Sequence, residues 1–174
     1  MALAELLEAN RTFAQGHETC ALEDRPARRL AVLTCMDCRL SGLLEDALGL
    51  RRGEAVVLRN AGARLSEDVL RSLVVAVHAQ GVNEVAVVGH RDCGMARLSV
   101  GRLTTAMSQA GVSREALPAE DLAGWLGVCA SVEQGVRDAV SAIRSAPALG
   151  ADLTAYGLLL DETTAQLTVV ERAD

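Results

Sequence analysis

The sequence predicts an α/β protein, a three-layer sandwich with a mostly parallel central sheet in the spatial order 2-1-3-4-5, the last strand antiparallel. Three observations lead there. Two short apolar runs, Leu30 to Leu33 and Val85 to Val88, each stop at residues able to bind metals or act as nucleophiles. That is the layout of buried strands delivering functional groups at their C-terminal ends. Amphipathic helical stripes lie between the strands, the strongest formed by Val69, Leu70, Leu73, Val74 and Val77. The chain closes with two more apolar runs, Tyr156 to Leu160 and Gln166 to Val170, joined by a connection too short for a parallel crossover.

Taken in order, Leu3, Leu6, Leu7, Asn10 and Phe13 fall near one face of an N-terminal helix that Gly16 closes, and residues 20–27 read as linker. The first strand is followed by a helical segment around Ser41 to Leu48. Glu54 to Leu58 is the second strand, with Arg59, Asn60, Ala61 and Gly62 at its end. Ser66 is placed to cap the next helix, with Glu67 and Asp68 in the first turn where the helix dipole favours acids. The third strand is Val85 to Val88. Residues 100–124 carry scattered Gly, Ser and Pro and read as an excursion with one or two short helices. Val132, Val136, Ala139, Val140 and Ile143 restore a helical stripe that Pro147 ends. The final two runs form an antiparallel hairpin at the sheet edge.

With 174 residues, half of them apolar, the chain suits one domain: an N-terminal helical arm and linker over 1–27 and a catalytic core over 28–174. Its net charge of -6, with no basic cluster denser than Arg25 to Arg29, argues against nucleic acid as a partner. No apolar run approaches membrane-spanning length, and the N-terminus carries acids where a secretory leader wants cations, so a cytoplasmic protein is expected. In that compartment the five cysteines are expected as ligands, catalysts or packing rather than disulfides.

The first strand delivers Cys35, Asp37, Cys38 and Arg39, and the third delivers His90, Asp92 and Cys93. If those strands are neighbours, two sulfurs and an imidazole converge in one crevice. Two Cys and one His, with a position left over, is the ligand set of a catalytic zinc site. Gly94 follows Cys93 and opens a helix whose N-terminal amides steady a thiolate. Asp37 can reach the metal as a fourth ligand and close it to water, or be held off by Arg39 in a bidentate pair. Two rival readings use Cys38: a C-x-x-C redox pair with Cys35, or a structural Cys₃His site closed by Cys38, which would make the chain a silent zinc-binding protein. Cys20, Cys129, His17 and His78 read as packing or surface residues, Trp125 as a packing anchor, and Asp92 equally as a partner for His90 or Arg59 or as a solvated loop acid.

Cys-Met-Asp-Cys-Arg at 35 to 39, Arg-Asn-Ala-Gly at 59 to 62 and His-Arg-Asp-Cys-Gly at 90 to 94 resemble the three motifs of the β-class carbonic anhydrases. The likeness extends through SEDVLRSL at 66 to 73 and the closing YGLLLDETTAQLTVV. It implies Cys35, His90 and Cys93 as ligands of one Zn²⁺ per chain, Asp37 and Arg39 as the catalytic dyad, and reversible hydration of carbon dioxide to bicarbonate by metal-bound hydroxide. Asn60 and Gly62 are implied at the substrate pocket, and a homodimer or dimer of dimers, embraced by the N-terminal helix, as the assembly. Cys38 departs from the family, which usually has a small residue there, and the aromatic residues of many members' pockets have no counterparts. Close relatives hydrolyse carbon disulfide or carbonyl sulfide with the same metal set.

Overall fold

A computed structural model describes residues 2–117 and 121–172. Five strands, β1 (Leu30–Cys35), β2 (Ala55–Asn60), β3 (Glu84–His90), β4 (Thr154–Leu160) and β5 (Leu167–Glu171), form one sheet in the order β2-β1-β3-β4-β5. All pairs are parallel except β4 with β5. This is the expected order, and the reason is visible in the sequence of elements. Short strands alternate with helices long enough to cross over, until a tight connection forces the last pair antiparallel.

Strands β1, β2 and β3 each run two residues beyond the apolar run that announces them, so Cys35, Asn60 and His90 are themselves the last strand residues. Ladder hydrogen bonds continue past the point where hydrophobicity stops, because polar residues at a strand end still pair their backbone.

The two faces of the sheet are covered separately. On one, Ala31, Leu33, Val85 and Val87 meet α3 (Glu67–His78) through Val69, Leu73 and Ala76, and α6 (Val132–Arg144) through Val136, Ala139, Val140 and Ile143. On the other, Val32, Ala86 and Val88 pack with Leu40, Leu44 and Leu50, supplied by the turn after β1, by α2 (Leu43–Ala47) and by the loop that follows it. Each fully buried Leu, Ile or Val side chain contributes about 1.5 to 3 kcal/mol. Ser66 accepts from the amide of Val69 and caps α3 as its position suggested. His78 is satisfied on its helix by the Ala148 carbonyl, 2.8 Å from Nε2.

Some local expectations need correction. Cys93 opens only a single 3₁₀ turn, Gly94–Arg97, too short to carry an appreciable dipole. Trp125, on the one-turn α5 (Leu122–Leu126), is 52% exposed and therefore not a packing anchor. It walls an open cleft with Asn60, Arg64 and Arg71. The excursion also contains α4 (Val100–Gln109), which buries none of its residues. The N-terminal helix α1 (Leu3–Gly16) likewise has no buried residue, leaving Leu3 70% and Phe13 67% exposed.

Helix α6 approaches the sheet over glycines. A Cβ on Gly157 would lie 2.5 Å from Val136 Cγ1, and one on Gly89 would lie 2.7 Å from Val136 Cγ2. Gly157→Ala is therefore expected to overpack this layer and cost about 1 to 3 kcal/mol, read as a lower urea midpoint at unchanged slope.

Candidate metal centre

Register assembles the site. Thr34 is level with Val88, so β1 and β3 end side by side, and Cys35 is level with Asn60 on the other flank. His90 is in turn level with Leu160 on β4. The crevice at these strand ends is where an open parallel sheet offers a ligand site. The ligating atoms of Cys35, His90 and Cys93 all lie within 4.8 Å of one another, and all three side chains are buried. Cys38 is exposed and lies outside this group.

Three features suit the group to a tetrahedral cation. The two sulfurs are 3.8 Å apart, close to the ~3.8 Å edge of a tetrahedron with metal–sulfur bonds of about 2.3 Å. His90 Nε2 is buried with no hydrogen-bond partner among the described residues, a costly arrangement for an imidazole nitrogen unless something binds it. The other ring nitrogen, Nδ1, is held 3.2 Å from Glu162 Oε1, which fixes the ring with Nε2 toward the sulfurs. The donor chemistry, two thiolates and an imidazole, is that of zinc.

The sulfurs titrate as a pair. The adjoining Cys93 thiol is the largest influence drawing Cys35 down to about 4; burial opposes this, while His90 and the amides of Gly62 and Asp37 assist. Cys93 is pushed up by the facing Cys35 sulfur and by burial, relieved in part by the Met95 amide. One sulfur therefore ionises readily and the second resists, and a divalent cation between them would favour both thiolates. Burial disfavours a charged His90, but the Cys35 sulfur and Glu162 outweigh it and raise its pKa.

Asp37 is not among the converging donors. Arg39 takes its carboxylate in a two-pronged pair, Nε to Oδ1 at 3.0 Å and Nη2 to Oδ2 at 2.8 Å, and the Arg39 amide adds a third bond at 2.9 Å. These hydrogen bonds hold the Asp37 carboxyl well below the usual carboxylate range. Its Oδ2 stands 3.8 Å from His90 Nε2, so the carboxylate borders the centre while Arg39 keeps it engaged.

Asn60 ends β2 level with Cys35, and Gly62 lies in the turn that follows. Asn60 donates to the Arg64 carbonyl at 2.7 Å and accepts from the Arg64 amide at 2.9 Å, locking the turn after β2. Gly62 has φ +78, and a Cβ there would meet Met95 Cγ at 3.1 Å, so a glycine lets the backbone turn its amide toward Cys35. Arg59 pairs with Glu45 at 2.9 Å. Asp92 serves neither His90 nor Arg59 as expected; it pairs with Arg39 at 2.9 Å and with Arg97. Glu162, the partner His90 does have, went unnoticed in the sequence. The signal was available, since β4 neighbours β3 and the residues just past Leu160 must lie beside those just past His90.

Comparison with known proteins agrees with this geometry. The carbonic anhydrase family model matches residues 30–158. The candidate carbonic anhydrase YvdA of Bacillus subtilis is 34% identical over 180 residues, covering 98% of this chain and 91% of that protein. The crystal structure of β-carbonic anhydrase isoform I from Trichomonas vaginalis superposes with a TM-score of 0.93 at 31% identity, covering 100% of both chains. The chain belongs to the β-carbonic anhydrase family. Its relatives include a second activity, since the carbon disulfide hydrolase of Acidithiobacillus thiooxidans is 30% identical over 184 residues, covering 96% of this chain and 90% of that one. β-Carbonic anhydrases bind zinc, and Cys35, His90 and Cys93 form a group that could hold it.

Replacing ligands and non-ligands separates the readings of Cys38. Cys93→Ala is expected to abolish stoichiometric metal in the purified protein, whereas Cys38→Ala keeps it, measured by elemental analysis after dialysis. Metal loss in the Cys38 variant would restore the closed Cys₃His reading.

Proposed function

We propose that this chain catalyses the zinc-dependent reversible hydration of carbon dioxide to bicarbonate and a proton. The observation that carries this reading is the convergence of Cys35, His90 and Cys93 around an unpartnered Nε2, with the bordering Asp37 carboxylate already engaged by Arg39. Three protein donors with the bordering Asp37 carboxylate engaged by Arg39 suit a catalytic rather than a sealed centre.

Zinc, when bound, supplies the acidity that makes water a nucleophile near neutral pH. The chain's own residues would do the rest. Cys35, His90 and Cys93 would hold the ion, with Glu162 fixing the His90 tautomer so that Nε2 keeps its lone pair. Asp37, ionised by its pair with Arg39, accepts hydrogen bonds only, so it can hold the reacting water by a proton and leave the oxygen lone pair aimed at the electrophile. Asn60 and Gly62 would line the substrate side, held rigid by the Arg64 contacts. The apolar layer of Leu40, Val88 and Leu160 beneath keeps bulk water from the buried side of the centre.

A second reading, hydrolysis of carbon disulfide or carbonyl sulfide, is favoured by the 30% identity to a carbon disulfide hydrolase over nearly the whole chain. The deciding measurement is proton release with CO₂, alongside sulfide release with COS and CS₂, on protein of known metal content across pH seven to nine. Carbon dioxide turnover at about one zinc per chain, lost on chelation and regained with zinc, is the expected result. Zinc-loaded protein that releases sulfide but leaves CO₂ untouched would transfer the assignment. Arg39→Ala is expected to lower kcat for CO₂ by at least ~100-fold with zinc retained, because Asp37 loses its positioning partner.

The proposed assembly is a homodimer or dimer of dimers. Its support is α1, none of whose residues is buried and whose Leu3, Leu6, Leu7 and Phe13 stay exposed among the described residues, the kind of apolar stripe that a second subunit buries. Deleting residues 2–16 is expected to shift the molar mass in light scattering toward the monomer. A cytoplasmic location is proposed on the five unpaired cysteines; among the described residues no helix is long and apolar enough to cross a membrane.

A further inference from the structure

The hairpin that closes the sheet contributes a buried carboxylate to the centre. Asp161 anchors the β4–β5 turn by accepting from the amides of Thr163 at 2.9 Å and Thr164 at 3.0 Å, while its own amide donates to the Gln166 carbonyl at 2.9 Å. From this braced turn Glu162 reaches inward, its side chain only 7% exposed.

One oxygen of this carboxylate meets three parts of the site. Glu162 Oε1 is 3.2 Å from His90 Nδ1, accepts from the Asp92 amide at 3.0 Å, and stands 3.5 Å from Arg39 Nη1. Those groups belong to the imidazole donor, to the loop that carries Cys93, and to the guanidinium that engages Asp37. Arg39 is tied to the same loop by Nη1 to Asp92 Oδ2 at 2.9 Å and Nη2 to the Asp92 carbonyl at 3.0 Å.

We propose that Glu162 is a positioning residue that couples the grip of His90 and Cys93 on the metal to the pairing of Arg39 with Asp37. This rests on the zinc-enzyme reading above and deepens it. The carboxylate orients the imidazole, clamps the residue before Cys93, and supplies negative charge that holds Arg39 in its fork. Neutralising it weakens all three together, so metal affinity and the state of Asp37 change in concert. The antiparallel edge hairpin thus acts as a working part of the centre, though it offers no atom to the metal or the substrate.

The test compares the wild-type full chain with Glu162→Gln, Arg39→Ala and the double variant, each loaded with zinc and, separately, with cobalt(II). Glu162→Gln is expected to lose zinc to a competing chelator about 10- to 100-fold more readily. Its cobalt visible spectrum, which reports the metal's ligand number and geometry, should shift in the same sense as that of Arg39→Ala. In the double variant the spectral effects should not add. Glu162→Asp keeps the charge on a shorter arm and is expected to fall between; it carries the same comparison if the glutamine variant does not fold. Wild-type affinity and spectrum in Glu162→Gln, or strictly additive effects with Arg39→Ala, overturns the coupling. Because affinity and spectrum are read without turnover, a wild-type protein that binds zinc yet leaves CO₂ unchanged removes the proposed reaction while the Glu162 result stands or falls by itself.

Discussion

The parallel pairing of β1 with β3 is the constraint on which the rest depends. Cys35 and the His90/Cys93 pair, more than fifty positions apart in the chain, become one donor set only because their strands run the same way and finish at nearly the same level. A parallel sheet needs crossover helices, and the helices need apolar strand faces to rest on. Burial of Ala31, Leu33, Val85 and Val87 under α3 and α6 is therefore part of how the donors are held. The glycines beneath α6 allow that layer to sit close.

The polar residues at the strand ends behave as a network rather than a set of pairs. Arg39 is shared among Asp37, Asp92 and Glu162, and Asp92 is shared between Arg39 and Arg97. Exposed ion pairs of this kind contribute little to stability individually. Their value here lies in geometry, because each bond removes a freedom from a side chain or loop that borders the donors. The innermost member, Glu162, is also the most buried, and it contacts both the imidazole and the guanidinium.

The resident apolar surfaces point outward in two ways. Within the crevice, apolar residues cover the underside of the donor group and leave the side bordered by Asp37 polar. At the N-terminus, α1 buries none of its residues and presents Leu3 and Phe13 to solvent. A chain with one Trp, one Tyr and one Phe builds its core from Ala, Val and Leu, so the few large aromatic groups are free for exposed positions such as Trp125 and Phe13.

Much of this was legible in the sequence for identifiable reasons. Short apolar runs ending in Cys and His mark strand ends, a 3.6-residue stripe marks α3 and α6, Ser66 marks a helix start, and the short closing connection marks an antiparallel edge; each is a local signal, because backbone geometry converts spacing directly into a face or a turn. What stayed hidden depends on which distant atoms meet. No spacing reveals that Asp92 serves Arg39, that Cys38 stays exposed outside the donor group, or that Cys93 opens only a turn. The sequence by itself determined the alternation of strands and helices and the residues that could act as donors, since hydrophobic period and chemical type are written residue by residue. Only the tertiary structure decided that three of those donors share one centre, that Arg39 engages Asp37 and that a hairpin carboxylate braces them, because hydrogen bonds between side chains are set by register and packing over long separations.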